Sequence, residues 1–205
     1  MALRSVQGLR ETTEGHDVEI VCAVDHDPET AERLKHFVTV LDYSDGYRGC
    51  SKAWNDALAC ATGDPIVFAA DDLIWQAGWL DAALAALDEH PGHLIGFNDG
   101  HWGAELSTHY LLPRDFIIEV LGGRVAWEGY KHSFNDLETC ERARRAGRYH
   151  WCEEARVYHE HWLFGDRQQD ETDTRRLPDH PQDQRIYNDR RTAGFPDDLE
   201  PVIEC

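Results

Sequence analysis

Basic residues are scarce in this 205-residue chain, where 20 Lys and Arg stand against 39 Asp and Glu for a formal charge of −19. No uniform positive field can hold a polyanion through counterion release, so broad nonspecific nucleic-acid binding is disfavoured. Long apolar runs are missing too. The opening MALRSVQGLRETTEGH has no apolar core of signal-peptide length, and no later stretch approaches the roughly 20 apolar residues of a membrane span. These absences predict a cytoplasmic protein with no membrane span. The six cysteines, Cys22, Cys50, Cys60, Cys140, Cys152 and Cys205, form no CxxC pair, so no disulfide framework is expected and they read as reduced packing residues. Repeats and low-complexity tracts are absent as well.

What is present suits one α/β domain: 41% hydrophobic residues are enough for a core at this length. Val18 to Val24, VEIVCAV, is the nearly continuous apolar run of a strand buried on both faces of a parallel sheet. Asp27 and Pro28 then supply an N-cap and first helical position. Further strands are predicted at 38–41 and 65–70, with helices at 51–62 and 79–87. Alternating strands and helices imply a mostly parallel sheet. Ligands bind outside the carboxyl ends of such strands, and Asp25, Asp71 and Asp72 stand at those ends. The second half is less regular: short strands at 94–97 and 109–112, helices at 116–121 and 137–146, and edge strands at 149–152 and 155–159. Residues 1–165 are expected to form the domain. Residues 166–205 form a charged tail, wrapped on the domain or partly disordered, with one helix near 184–191.

Four blocks carry a resemblance to the family 2 glycosyltransferases, nucleotide-sugar enzymes of the GT-A fold, across roughly residues 3 to 165. VEIVCAVDHDPET resembles the strand ending in an acid that contacts the nucleotide base, and YRGCSKAWNDALACATGDPIVFAADD resembles the helix, Gly-Asp, strand and DXD motif. FNDLETCERARRAG is similar to the segment supplying the catalytic base, and VYHEHW to the one whose histidine completes the metal site. The departures are two. Family members usually open with a strand and loop that hold the base, whereas this chain opens in what resembles the following helix, and Ala70 stands where the first Asp of DXD falls. The resemblance implies an N-terminally shortened GT-A-like fold and a metal-dependent, inverting transferase that moves a hexosyl or related sugar from a nucleotide-diphosphate donor, expected to be a UDP-sugar, to a hydroxyl acceptor. Asp72 with His159 or His161 would bind Mn²⁺ or Mg²⁺, Asp71 would face the ribose or diphosphate, and Asp136 would be the general base, with Glu138 and Glu128 as nearest substitutes.

Elementary chemistry is consistent with these roles. A departing nucleoside diphosphate develops charge that a divalent cation stabilises, and imidazole is accepted better by Mn²⁺ than by Mg²⁺. Asp25 and Arg48 would remain as base-side contacts of an incomplete pocket, making donor binding weak or dependent on a protein partner or homo-oligomer. Arg48 and Lys52 flank a glycine before a helix, a setting that favours an anion. Two other functions fit the same residues. One is a degenerate GT-A domain serving as a binding or assembly protein, and the other is a zinc-stabilised module built on His150, Cys152, His159 and His161.

Overall fold

The computed structural model describes residues 1–199, 202 and 203, so Cys205 lies outside the described residues. After helix α1 (Ala2–Thr12), strand β1 (Val21–Asp25) hands over to helix α2 (Pro28–Leu34) through the expected cap. The Asp27 carboxylate accepts the Thr30 N–H at 3.0 Å, and Ala31 and Leu34 are buried beneath. Strand β2 (Thr39–Tyr43) then pairs parallel to β1, with Val21 opposite Thr39. Helix α3 (Cys50–Cys60) follows, inserting Ala53 and Leu58 into the interior. Strand β3 (Ile66–Phe68) is succeeded at once by a strand the sequence did not suggest, β4 (Leu73–Trp75), and then by α4 (Trp79–Glu89). The second half contributes β5 (Leu94–Asn98), β6 (Tyr110–Leu112), α5 (Arg114–Leu121), α6 (Asn135–Arg145) and β7 (Tyr149–His159).

The α/β class holds, but the expected mostly parallel sheet is a mixed one. Beside the β1–β2 pair lies a five-stranded sheet in the order β3-β6-β5-β7-β4. In it only β5–β7 is parallel, while β3–β6, β5–β6 and β4–β7 are antiparallel. Parallel neighbours need a crossover, usually a helix, yet only one 3₁₀ turn (Gly103–Glu105) separates β5 from β6, so the chain reverses. The two short edge strands expected at 149–152 and 155–159 are one strand inside the sheet, between β5 and β4. A register shift at Phe97 and Asn98 lets Glu153 and Glu154 bulge to solvent between the halves.

Two apolar clusters flank this sheet. Trp79 and Leu80 of α4 pack on Leu73, Ile95, Phe97 and Val157, and Phe116 and Ile117 of α5 pack on Phe68, Tyr110 and Leu112. Beyond Gly165, α7 (Glu171–Arg176) and α8 (His180–Ala193) pack against the domain through polar contacts. In one of these, Arg190 on α8 pairs with buried Glu138 on α6 at 2.8 Å. Among the described residues no helix is long and apolar enough to cross a membrane.

Candidate metal and donor site

The β4–β7 ladder sets Leu73 opposite His159, which brings the preceding residue, Asp72, to the His159 ring. His159 Nε2 lies 3.2 Å from Asp72 Oδ2. From just before β6, His109 completes a group whose ligand atoms all fall within 4.8 Å of one another. Its ring stands perpendicular to that of His159, with centroids 4.8 Å apart. Asp72 Oδ1 and His159 Nδ1 are buried and have no hydrogen-bond partner among the described residues, a costly arrangement unless something else satisfies them. Burial pushes the Asp72 carboxyl up, but the hydrogen bond and charge of His159 outweigh it and bring its pKa to about 2. Burial, aided by His159, lowers His109 to about 3. The result is an ionised carboxylate beside a neutral imidazole, a donor set that suits a divalent cation.

His161, the alternative metal residue of the sequence reading, lies outside this group. Its ring is 5.0 Å from that of His159, and its Nε2 faces Arg176 at 3.2 Å. The same guanidinium donates to His132 Nε2 at 2.7 Å. Burial first, then neighbouring positive charge, lowers both histidines to about 4. Arg176 and Arg167 share the carboxylate of Asp173, which is 1% exposed, and Arg167 also stands 3.9 Å from Asp72 Oδ2. The His150 and Cys152 of a zinc module do not converge on this place. Cys152 Sγ contacts the Ala82 carbonyl at 3.7 Å and His150 stacks on His90.

Asp71 is exposed to solvent, and the protein packed around it together with the charge of Asp72 raises its pKa. The remaining donor-side residues are occupied within the chain. Asp25 accepts the backbone N–H groups of Arg48 and Gly49, each at 2.9 Å. The Arg48 guanidinium lies 4.4 Å over the Tyr43 ring, and Lys52 Nζ donates to Asp56 at 2.8 Å.

Asp136 sits in the first turn of α6 and accepts the N–H of Leu137 at 2.8 Å. Burial outweighs those helix N–H groups and raises its pKa, while the His159 charge acts against the rise. The N-terminal dipole alone would predict the opposite direction. Neither substitute is free: Glu138 binds Arg190 and the Tyr130 hydroxyl, and Glu128 binds Arg124 and Asn55.

Residues 1–123 match the glycosyl transferase family 2 domain. The chain belongs to that family. Its α/β fold is of the GT-A type, similar to crystal structures of S. aureus TarS. The first superposes with a TM-score of 0.56 at 17% identity, covering 77% of this chain and 34% of TarS. The second, TarS 1–349, gives 0.54 at 15% identity, covering 77% of this chain and 57% of the other. The chain thus spans between a third and just over half of the TarS chains it matches. No curated protein matches the sequence.

Against this family background, three side chains at the site went unnoticed in the sequence. His109 carries no ligand spacing and reads only as the first residue of an apolar strand, STHYLL. Arg167 and Arg176 belong to a segment read as a tail. The one available signal was the excess of arginine in an acidic protein, 17 Arg against 3 Lys.

Proposed function

We propose that this family 2 protein is a metal-dependent, inverting glycosyltransferase that transfers a sugar from a nucleotide-diphosphate donor, a UDP-sugar, to a hydroxyl acceptor. The observation that carries this reading is the convergence of Asp72, His109 and His159, which each offer a ligand atom within 4.8 Å of the others. A divalent ion held there, Mn²⁺ or Mg²⁺, would neutralise charge on the departing diphosphate. Arg167 and Arg176 add positive charge on the same side, and Asp71 is available to the ribose or diphosphate. Asp136 takes the acceptor hydroxyl proton as the acceptor oxygen bonds to the anomeric carbon. The bond from that carbon to the diphosphate oxygen breaks on the opposite face, which inverts the configuration. A carboxylate whose pKa is raised by burial is a stronger base than an ordinary one.

One observation favours the binding-protein alternative. The Asp25 carboxylate and the Lys52 amine are already satisfied internally, so donor contacts through them must share or displace those bonds. Weak donor affinity, aided by a protein partner or a second copy, follows.

Thermal shift with a panel of nucleotide sugars, with and without Mn²⁺, tests the reading, because a bound donor stabilises the fold by mass action. A UDP-sugar should raise the melting temperature only with metal, and Asp72→Ala should abolish that rise. Asp136→Asn should keep the rise while cutting sugar transfer or donor hydrolysis by about 10²-fold or more. No donor-dependent shift together with no turnover would favour the binding protein.

A further inference from the structure

Two residues hold His109 from behind, Thr108 directly and Asp99 through Thr108. Asp99, immediately after β5, is 1% exposed. Its Oδ1 accepts the backbone N–H groups of His101 at 2.9 Å and Trp102 at 3.1 Å, and its Oδ2 accepts the Thr108 hydroxyl at 2.8 Å. The Thr108 oxygen also lies 2.9 Å from His109 Nδ1. A hydroxyl has one proton to donate. Committed to the Asp99 carboxylate, Thr108 can only accept from the imidazole, so Nδ1 carries the ring hydrogen and Nε2 keeps its lone pair. The Asp99 backbone carbonyl meanwhile accepts the N–H of His159 at 3.1 Å, so one residue supports both histidines of the group.

We propose that Asp99 and Thr108 are positioning residues that lock His109 in the Nδ1–H tautomer and offer its Nε2 to the metal, making a centre of two imidazoles and one carboxylate that takes Mn²⁺ in preference to Mg²⁺. The proposal rests on the metal-dependent reading above. Mg²⁺ is reluctant to exchange water for nitrogen, whereas imidazole suits the transition-series divalent ions. A hydrogen bond to the distal nitrogen fixes ring orientation and raises ligand basicity, and loss of such a partner typically lowers metal affinity by about 10- to 100-fold.

Two measurements test this, one of which needs no metal. Nitrogen-15 NMR of the metal-free protein should show His109 with its hydrogen on Nδ1, and an Nε2–H tautomer would overturn the proposal while leaving the metal-dependent reading intact. In a Mn²⁺ titration followed by electron paramagnetic resonance, the wild-type chain should bind the ion and retain it against about 100-fold excess Mg²⁺. Thr108→Val should weaken Mn²⁺ by about tenfold or more and lose the fixed tautomer, and Thr108→Ser should restore both. Unchanged affinity in folded Thr108→Val, or equal competition by Mg²⁺, would overturn it. Absence of Mn²⁺ binding by the wild type would overturn the underlying metal reading and the proposal with it.

Discussion

An imidazole kept neutral by burial and by a neighbouring guanidinium makes His132 a source of acid sensitivity. In the unfolded chain its pKa is about 6.5; in the fold, burial and Arg176 lower it to about 4. Between those values the unfolded state binds a proton that the folded state refuses. The contribution is therefore complete above about pH 6.5 and is lost as pH falls toward 4, by roughly 2 to 3 kcal/mol. His161 shifts the same way, so the wild-type decline is a sum, and a second protein is needed to isolate one part. His132→Gln keeps an acceptor for Arg176 but cannot titrate. Urea unfolding at pH 7 and pH 4.5 should show a smaller loss for this variant than for the wild type, and parallel losses would refute the assignment.

The junction between β1, the loop after β2 and α3 depends on one backbone conformation. Gly49 has φ +85°, and a Cβ there would sit 2.9 Å from the Lys131 carbonyl oxygen. That neighbour is backbone, itself accepting the Cys50 N–H at 3.2 Å, and cannot turn aside. Both the left-handed conformation and the close approach exclude a side chain, while the Gly49 N–H also anchors Asp25. Gly49→Ala should cost about 1 to 3 kcal/mol and lower the melting temperature. Gly63, with open space around its Cβ position and no positive φ, is the control, and its alanine variant should stay within about 0.5 kcal/mol of wild type. Equal behaviour of the two variants would remove the steric explanation.

At the scale of the molecule, residues beyond Gly165 close the site-bearing half through buried ion pairs. Glu138 on α6 accepts from Arg190 Nε at 2.9 Å and from the Tyr130 hydroxyl at 2.8 Å. The Arg190 guanidinium lies 4.0 Å over the Trp127 ring, and the side chains of the pair are 6% and 7% exposed. Removing one member of such a pair leaves an uncompensated buried charge, at a cost of about 3 to 5 kcal/mol. Arg190→Ala should approach the lower end, because Arg142 stands 3.5 Å from the same carboxylate. Adding Glu138→Leu to an Arg190→Leu chain should recover much of the loss in urea unfolding. Failure to recover would mean that volume and the Trp127 contact, rather than charge, dominate.

What the sequence determined by itself was local. The Asp27 cap with Pro28 started α2 where expected, the apolar spacing placed α3 and α4, and the runs before Asp25 and Asp71 formed strands, because caps, proline and side-chain periodicity act within a few residues. The four motif blocks likewise pointed to family 2 and to the neighbourhood of Asp72 and His159. Tertiary structure decided the rest. β4 is only Leu73–Trp75, too short to show a period, and exists because β7 supplies its hydrogen bonds. Whether the sheet ran parallel depended on a 99–109 connection that lacks a crossover helix, a property of the path and not of any one strand. His109 joined Asp72 and His159 across 37 and 50 residues of chain because β6 and β7 flank β5, and Arg167 and Arg176 arrived only when the C-terminal segment folded back. Burial then reversed the direction that the helix dipole alone gave for Asp136, since desolvation is set by everything packed around a group and no local pattern encodes it.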